Sequence, residues 1–310
     1  MSKLILISDM HLLVDNPVAR LDDCKEAGYN KLQFVLDWAL ENDATILQAG
    51  DVCNKARSWH LLSDLQSIFS SKDKFYCIYG QHDTVMYNES TRKATILGAL
   101  AGAGMVRILG DKPKYIRGEG AEDYKVYGCH YGQEIPVPNG GNPEFNILVI
   151  HAPIANEALW QGQDYWDAKT FLMKHKEYKL ILCGDIHQKF CVEHEGRYIV
   201  NAGPMIRREA TMYNFSHHPG FWVWANGGLS WQEIPHAPAE QVLTRDHIEY
   251  KQEAIGILDA FIKAIKTDAA GQQDVSFMAN LWAFIRTNNL DQGVVEEISK
   301  VIGEEKFYKK

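Results

Sequence analysis

The sequence contains no hydrophobic run long enough to cross a membrane. A membrane helix needs about 18 consecutive apolar residues, whereas the apolar run Leu4–Ile7 ends two residues before Asp9. Basic residues are fewer than acidic ones: the chain has 32 Lys and Arg and 40 Asp and Glu, which gives a net charge of −8. We therefore expect a cytoplasmic protein that has no membrane contact and no broad basic surface for nucleic acid.

Cysteine is scarce, and its spacing excludes common structural sites. The six cysteines of the 310 residues form no C-x-x-C pair, which argues against a zinc–thiolate site. Most of them lie in apolar runs of strand length, as expected for reduced, buried thiols in a cytosolic protein. With 46% apolar residues, the chain is long enough for one large domain or two modest ones.

Short apolar runs recur through the first 235 residues, and the early runs alternate with helical periodicity. Helices are predicted around the apolar faces Leu32–Leu40 and Leu61–Phe69. The predicted strands are Lys3–Ser8, Thr45–Ala49, Phe75–Tyr79, Val106–Leu109, Tyr124–Tyr127, Phe145–Ile150, Lys179–Cys183, Tyr198–Asn201, Phe221–Ala225 and Leu229–Ile234. Asn226-Gly227 is a typical turn of a hairpin. We expect a layered α/β core whose second half is largely antiparallel.

The pattern changes after Ile234. His236–Ala239 is typical of a linker, and only helical periodicity follows it. We expect one domain over residues 1–235 and a helical region over residues 236–310. The apolar faces of that region either pack on their own core or bind a partner.

Five strand-like runs are each followed by Asp, His or amide side chains. These clusters are Asp9-Met10-His11, Gly50-Asp51, Gly80-Gln81-His82-Asp83, His151 and Gly184-Asp185-Ile186-His187. Ligands bind beyond the carboxyl ends of strands in open α/β sheets, so the clusters could converge on one site. Imidazole, carboxylate and amide ligands without thiolate are typical of a first-row divalent metal. The sequence therefore predicts a metal site.

This ordered set resembles the calcineurin-like metallophosphoesterases, whose motifs D-x-H, G-D, G-N-H-D, H and G-H-x-H each follow a strand. The resemblance spans about residues 1–235 and implies a layered β-sandwich core flanked by helices, with two divalent ions. Mn²⁺ is the expected metal, and Mg²⁺ is the second choice. By this resemblance Asp9, His11 and His187 hold the first ion, Asp51 bridges, and Gln81, His151 and Asp185 hold the second. His82, supported by Asp83, corresponds to the histidine that protonates the leaving oxygen.

Two positions depart from the family pattern, and both belong to the second ion. Gln81 stands where the family has Asn, so the amide oxygen is carried on a side chain one methylene longer. Asp185 stands where the family has His, which favours the harder ions Mn²⁺ or Mg²⁺. We interpret the two changes as compensatory. The alternative is a decayed site that binds one ion weakly.

The run Val200–Glu209 resembles a segment, N-P-G-S-x-x-R, of the SbcD-like nuclease subunits of SbcCD-type DNA repair complexes. Asn201, Gly203 and Arg207 match it, and Pro204 replaces the serine. This resemblance implies an exonuclease or endonuclease that cleaves DNA, forms a homodimer and docks on an SMC-like coiled-coil ATPase.

Three further residues are expected to contact the substrate. Asn54 ends the G-D-x-x pattern, while Arg57 and Arg207 could each contact a phosphate. Arg208 is a further candidate, and a surface salt bridge is the equal alternative for each arginine. The aromatic residues around Trp160 could stack on a base, although ordinary packing is favoured.

Two other functions remain open. A small-molecule phosphodiesterase or phosphatase of the same superfamily would suit the net charge of −8. A non-catalytic scaffold would bind an ATPase partner through the helical tail and cleave nothing.

Overall fold

The computed structural model describes residues 3–69, 74–118, 123–140, 142–267 and 277–302. The chain divides into two compact units, Met1–Val242 and Leu243–Lys310. Residues 268–276 and 303–310 of the predicted helical tail lie outside the described residues.

Two six-stranded sheets form the first unit. The first sheet contains β1 (Leu4–Ile7), β2 (Thr45–Gln48), β3 (Phe75–Cys77), β4 (Arg107–Ile108), β13 (Gly220–Ala225) and β14 (Gly228–Glu233). The second contains β5 (Lys114–Ile116), β6 (Tyr124–Cys129), β7 (Asn146–Ala152), β10 (Leu180–Asp185), β11 (Lys189–His194) and β12 (Arg197–Ala202). A small parallel ribbon pairs β8 (Ile154–Ala155) with β9 (Trp166–Asp167).

The strand order is β14-β13-β1-β2-β3-β4 in the first sheet and β11-β12-β10-β7-β6-β5 in the second. Strands β1 to β4 are parallel, as are the four central strands of the second sheet. The expectation of a largely antiparallel second half is therefore wrong for that sheet, where the antiparallel pairs lie at the edges. The segments 130–145 and 153–179 are long enough to cross over between parallel neighbours.

The helices of the first unit are α1 (Cys24–Glu41), α2 (Trp59–Ile68), α3 (Ile96–Gly102), α4 (Ala168–Lys174), α5 (Met212–Ser216) and the short α6 (Ala239–Val242). Helices α1, α2 and α3 pack on the outer face of the first sheet, and α4 packs on that of the second. Asp23 begins α1 by accepting a hydrogen bond from the Glu26 amide, and Ser58 caps α2 in the same way. Leu40, expected on the apolar face of α1, is 84% exposed, whereas Leu36 and Ala39 of the same helix are buried.

Alternation along the strands produces the layers. Leu4 and Leu6 on β1 point between the sheets, whereas Ile5 and Ile7 pack against the helices on the outer face. Phe171 and Leu172 of α4 cover the outer face of the second sheet. The predicted layered β-sandwich flanked by helices is thus confirmed. It brings the carboxyl ends of β1, β2, β3, β7 and β10 to one region, as the contacts described below show.

The predicted hairpin is also present. Ala225 pairs with Gly228 across Asn226 and Gly227, both of which have left-handed φ angles (53° and 71°). Two positive φ angles at the central residues are characteristic of the type I′ turn, which matches the twist of the flanking strands.

The second unit contains α7 (Asp246–Thr267), α8 (Phe277–Thr287) and α9 (Gln292–Ile302). Its buried core joins Ala254 of α7, Leu281 and Ile285 of α8, and Val294 and Ile298 of α9. The helices thus pack on a core of their own. Among the described helices, none combines the length and the apolar character that a membrane span requires.

Candidate metal centre

Side chains from both sheets converge at one end of the sandwich. Asp9 and His11 follow β1, Asp51 follows β2, Gln81 and His82 follow β3, His151 lies in β7, Asp185 ends β10, and His187 comes two residues later. All seven residues predicted as metal ligands therefore lie at the ends of strands that meet in the fold.

The first group is built around His11. Its Nε2 atom lies 2.9 Å from Nε2 of His187 and 3.7 Å from Oδ2 of Asp51. Nε2 of His187 lies 4.0 Å from Oδ1 of Asp9. Asp9, His11 and His187 together present ligand atoms within 4.8 Å of one another, so these three side chains could share one ion.

The second group is built around His151. Its Nε2 atom lies 3.6 Å from Oδ2 of Asp51 and 3.9 Å from Oδ1 of Asp185. Gln81 donates a hydrogen bond from Nε2 to the same Asp185 oxygen, at 2.6 Å. The two residues that depart from the family pattern are therefore in direct contact. Because Asp51 is close to both His11 and His151, it is placed between the two groups.

The buried polar atoms of these groups fit bound cations. Five of them have no hydrogen-bond partner among the described residues: Oδ2 of Asp9, Nδ1 of His11, Oδ2 of Asp51, Oε1 of Gln81 and Nε2 of His151. A buried polar atom without a partner is costly, and buried carboxylates are normally paired or bound to a metal. Divalent ions would satisfy oxygen and imidazole donors of this kind.

Hydrogen bonding orients His151, and burial shifts the pKa of its neighbours. Nδ1 of His151 donates to the Ala49 carbonyl oxygen at 2.5 Å, which fixes the ring with Nε2 3.6 Å from Oδ2 of Asp51. Burial raises the pKa of Asp51 well above its ordinary range. Burial also lowers the pKa of His11, and the neighbouring His187 and Arg208 lower it further. A neutral His11 is a competent ligand.

The backbone at three of these positions is strained. His11, Asp51 and Asp185 have positive φ angles of 48°, 54° and 97°, a region that residues other than glycine rarely adopt. Gly80 permits close approach, because a Cβ atom there would lie 2.1 Å from Oδ1 of Asp51. A Cβ atom at Gly50 would lie 2.5 Å from Nδ1 of His151. The glycines of the motifs are therefore needed for tight packing around the ligands.

His82 adjoins the centre, but Asp83 does not orient it. The His82 ring packs edge-on to His11 with centroids 4.9 Å apart, and its Nδ1 atom lies 3.0 Å from the Asn54 carbonyl oxygen. Asp83 is buried and accepts hydrogen bonds from the amides of Val52, Cys53 and Gly80 instead. The expected support of His82 by Asp83 is corrected accordingly: Asp83 fixes the loop after β2, and Asn54 holds the ring.

The residues predicted to contact substrate fall in different places. Arg57 is exposed and donates through Nε to the Ala94 carbonyl oxygen. Arg207 is 3% exposed and donates to the Ala237 carbonyl oxygen, so it is held within the fold. Arg208 instead donates to Oδ1 of Asn54, beside His82. Of the two neighbouring arginines, the structure places Arg208 next to the centre.

The segment containing Asn201 supports the centre from behind. Asn201 donates to the Ile186 carbonyl oxygen at 2.8 Å and accepts from the Gly203 amide at 2.7 Å. The Met205 amide donates to the Asp9 carbonyl oxygen. These hydrogen bonds fix the backbone at Asp9 and next to His187, two of the predicted ligands.

The chain is similar to one protein family and, in its fold, to several solved structures. The family model described as calcineurin-like phosphoesterase matches residues 2–189. The fold is similar to the protein TT1561 of Thermus thermophilus (TM-score 0.46, 13% identity, 75% of this chain and 99% of that one). It is also similar to a putative 5′-nucleotidase from Staphylococcus aureus (TM-score 0.45, 12% identity, 76% and 54%) and to an archaeal phosphodiesterase (0.38, 10%, 75% and 98%).

Among curated proteins, none has a sequence that matches this chain significantly. The family model, however, spans more than half of the chain and includes every strand-end cluster up to His187. Members of that family are hydrolases that use divalent metal ions, which agrees with the ligand groups found at the strand ends. The chain therefore belongs to the calcineurin-like phosphoesterase family.

Proposed function

We propose that the protein is a phosphodiesterase that uses two divalent ions. The observation that carries this proposal is the convergence of carboxylate and imidazole groups from both sheets, with five buried atoms that lack partners among the described residues. Asp9, His11 and His187 would hold one ion, Gln81, His151 and Asp185 the other, and Asp51 would bridge. Such a pair of ions clamps a phosphoryl group and lowers the pKa of a water molecule.

His82 is the proposed general acid. Its Nδ1–H donates to the Asn54 carbonyl oxygen, which favours the protonated ring and leaves Nε2–H free to protonate the departing oxygen. Burial lowers the pKa of His82, and the Asn54 carbonyl acts in the opposite direction. Arg208, which is hydrogen-bonded to the side chain of Asn54, adds positive charge beside the leaving group.

The charge of the ligand set favours a diester over a monoester. The carboxylates of Asp9, Asp51 and Asp185 contribute three negative charges, so two divalent ions leave one positive charge. A phosphodiester carries a single negative charge and would neutralise it. Histidine at position 185, as in the family pattern, would leave one more positive charge and suit the dianion of a monoester.

DNA is the proposed substrate, with an SMC-like coiled-coil ATPase as partner and a homodimer as the assembly. The Asn201–Arg207 resemblance supports this finer assignment, and the partner would supply a broad basic surface, which the net charge of −8 does not favour on this chain. Mn²⁺ is the proposed metal because Asp185 adds a hard oxygen ligand. A small-molecule phosphodiesterase is the second candidate, favoured by the net charge of −8.

A substrate comparison tests these proposals. The purified chain is assayed with Mn²⁺, with Mg²⁺ and with chelator on linear double-stranded DNA, single-stranded DNA, bis(p-nitrophenyl) phosphate and p-nitrophenyl phosphate. We expect metal-dependent cleavage of DNA and preference for the diester. Hydrolysis of the monoester alone would contradict the diesterase proposal, while hydrolysis of the small diester without DNA cleavage would favour the second candidate.

Two variants test the assigned roles. His82→Ala should lower turnover by about 100- to 10,000-fold, the usual range for general acid catalysis, while the metal content stays unchanged. Asp51→Ala should lose both ions, since Asp51 lies between the two groups. Equal metal loss in the two variants would show that the roles are wrongly divided.

A further inference from the structure

We propose that a cavity beside the metal centre binds the nucleoside arm that stays on the phosphate during cleavage, and that Trp160 stacks on its base. This inference rests on the proposed phosphodiesterase function and assigns the site that binds the nucleoside of a nucleotide diester. It also assigns a role to an aromatic side chain that the chemistry at the metals does not use.

The cavity is continuous with the ligand set. It has a volume of about 700 Å³ and is lined by Asp185 and His187, by the loop 159–164, and by residues 209–214, which lead into α5. A group attached to a phosphoryl group at the ions therefore has direct access to it. This volume lies within the usual range for small-ligand sites.

The lining suits an uncharged aromatic group. Leu159, Trp160 and Met212 contribute apolar surface, and the Trp160 and Met212 side chains are 61% and 75% exposed. Asp164 and Glu209 add carboxylates, whereas no Lys or Arg is found among the described residues that line the cavity. A second phosphate would be repelled here, but a base offers a face for stacking and N–H groups for the carboxylates.

Hydrogen bonds within the loop hold Trp160 at the cavity. Oε1 of Gln163 accepts from the Leu159 amide at 2.7 Å, and the Gln163 amide donates to the Trp160 carbonyl oxygen at 3.3 Å. Trp166, in contrast, stacks on Phe171 at 5.6 Å and 13°, so it serves packing.

One buried group of the cavity wall also lacks a partner. Asn214 is 7% exposed, and its Oδ1 atom accepts no hydrogen bond from the described residues. Its Nδ2 atom donates to the Glu209 carbonyl oxygen, which fixes the amide.

A second groove, which shares no lining residue with the Trp160 cavity, indicates the direction of the leaving group. It has a volume of about 590 Å³ and is lined by Lys55, Arg57, His82 and Met86, among others. Because the proposed general acid lies in this basic groove, the leaving group departs there. The arm that stays on the phosphate would then bind in the Trp160 cavity.

Two diesters with the same leaving group test the assignment. Thymidine 5′-(p-nitrophenyl phosphate) and methyl p-nitrophenyl phosphate differ only in the retained arm. In both, water forms a new P–O bond, the P–O bond to p-nitrophenolate breaks with its electron pair, and one proton passes to solvent. Base–aromatic stacking predicts that kcat/KM is roughly 5- to 150-fold higher for the thymidine ester, mainly through KM.

Variants identify the stacking residue. Trp160→Ala should reduce the preference to about onefold, and Trp160→Phe should retain most of it. Trp59→Ala, which removes another exposed tryptophan (86%) that does not line the cavity, should leave the preference unchanged. Equal preference in the wild-type protein, or equal losses for both esters in Trp160→Ala, would overturn the proposal.

A binding measurement separates this proposal from the proposed activity. Titration calorimetry with thymidine 5′-monophosphate in the presence of Mn²⁺ requires no turnover. We expect binding by the wild-type protein and by Trp59→Ala, and binding weaker by roughly 5-fold or more in Trp160→Ala. Binding with this pattern but without hydrolysis would refute only the diesterase function. Hydrolysis of both esters without any effect of Trp160 would refute only the nucleoside site.

Discussion

Gln81 and Asp185 provide the sharpest test of the second metal site, because the two unusual residues contact each other. The Nε2–Oδ1 distance of 2.6 Å is that of a charge-assisted hydrogen bond. Gln81→Asn shortens the side chain by one methylene, so the amide no longer reaches Asp185. Asp185→His removes the acceptor. The double variant restores the Asn and His of the family pattern.

The expected loss of metal affinity follows from the free energy of the hydrogen bond between Gln81 and Asp185. A hydrogen bond to a charged group contributes about 1.5–3 kcal/mol, which corresponds to roughly 10- to 150-fold in affinity. Each single variant should weaken binding of the second ion by about this factor. The double variant should lose less than the product of the two factors, since residues in contact show coupling energies of about 0.5–3 kcal/mol. The first ion should be little affected, because Asp9, His11 and His187 are unchanged.

Calorimetric titration with Mn²⁺ measures the two binding steps, and urea unfolding checks that each variant is folded. Multiplicative losses in the double variant would show that Gln81 and Asp185 act independently and would refute the compensatory interpretation. Equal weakening of both steps would refute the division into two groups. The kinetics give a second check, because Asp185→His and the double variant should shift preference from the diester toward p-nitrophenyl phosphate.

Three further predictions concern the surroundings of the centre. Gly80→Ala places a Cβ atom 2.1 Å from Oδ1 of Asp51 and should lower bound metal measured by plasma emission, and full metal content would contradict the close-packing argument. Arg208→Ala should reduce kcat/KM for the diester by about 10-fold or more without metal loss, and an unchanged rate would remove Arg208 from the leaving-group side. Burial lowers the pKa of His217 to about 3, so the unfolded state alone takes up a proton as the pH falls from about 6.5. His217→Gln should therefore lose less unfolding free energy than the wild-type protein between pH 7 and pH 5 in urea titrations, and parallel losses would refute this.

The convergence of the ligands was predictable because every cluster lies at or directly after the end of a strand. Hydrophobic runs located those strands, and parallel strands deliver their carboxyl ends to one edge of a sheet. The direction of the strands in the second sheet was not predictable in the same way, because alternation of apolar residues is identical in parallel and antiparallel pairs. The edge strands β5 (Lys114–Ile116) and β11 (Lys189–His194) and the two-residue strands β8 and β9 were missed, whereas the equally short β3 and β4 lie within longer apolar runs and were predicted.

The side-chain partners depended on tertiary structure. The resemblance suggested that Asp83 supports His82, yet the path of residues 51–54 brings two amides to Asp83 and the Asn54 carbonyl oxygen to His82. Tertiary structure also separates Arg207 from Arg208. The sequence made both candidates for phosphate binding, but Arg207 is buried and Arg208 contacts Asn54 beside the centre. The contact between Gln81 and Asp185 spans 104 residues, and only their shared departure from one motif set indicated it.

The position of the metal centre has a mechanical consequence for the sandwich. Asp51 extends from the first sheet and His151 from the second, and their side chains meet 3.6 Å apart. Ions bound there would link the two sheets, which share no backbone hydrogen-bond ladder, at one end of the sandwich. A free ion concentration of about 100 times the dissociation constant would add about 2.7 kcal/mol to the unfolding free energy. Without ions, the buried ligand atoms have no partners, so we expect this end of the sandwich to open first, and amide exchange after chelation should be fastest in the loops that follow β2 and β10.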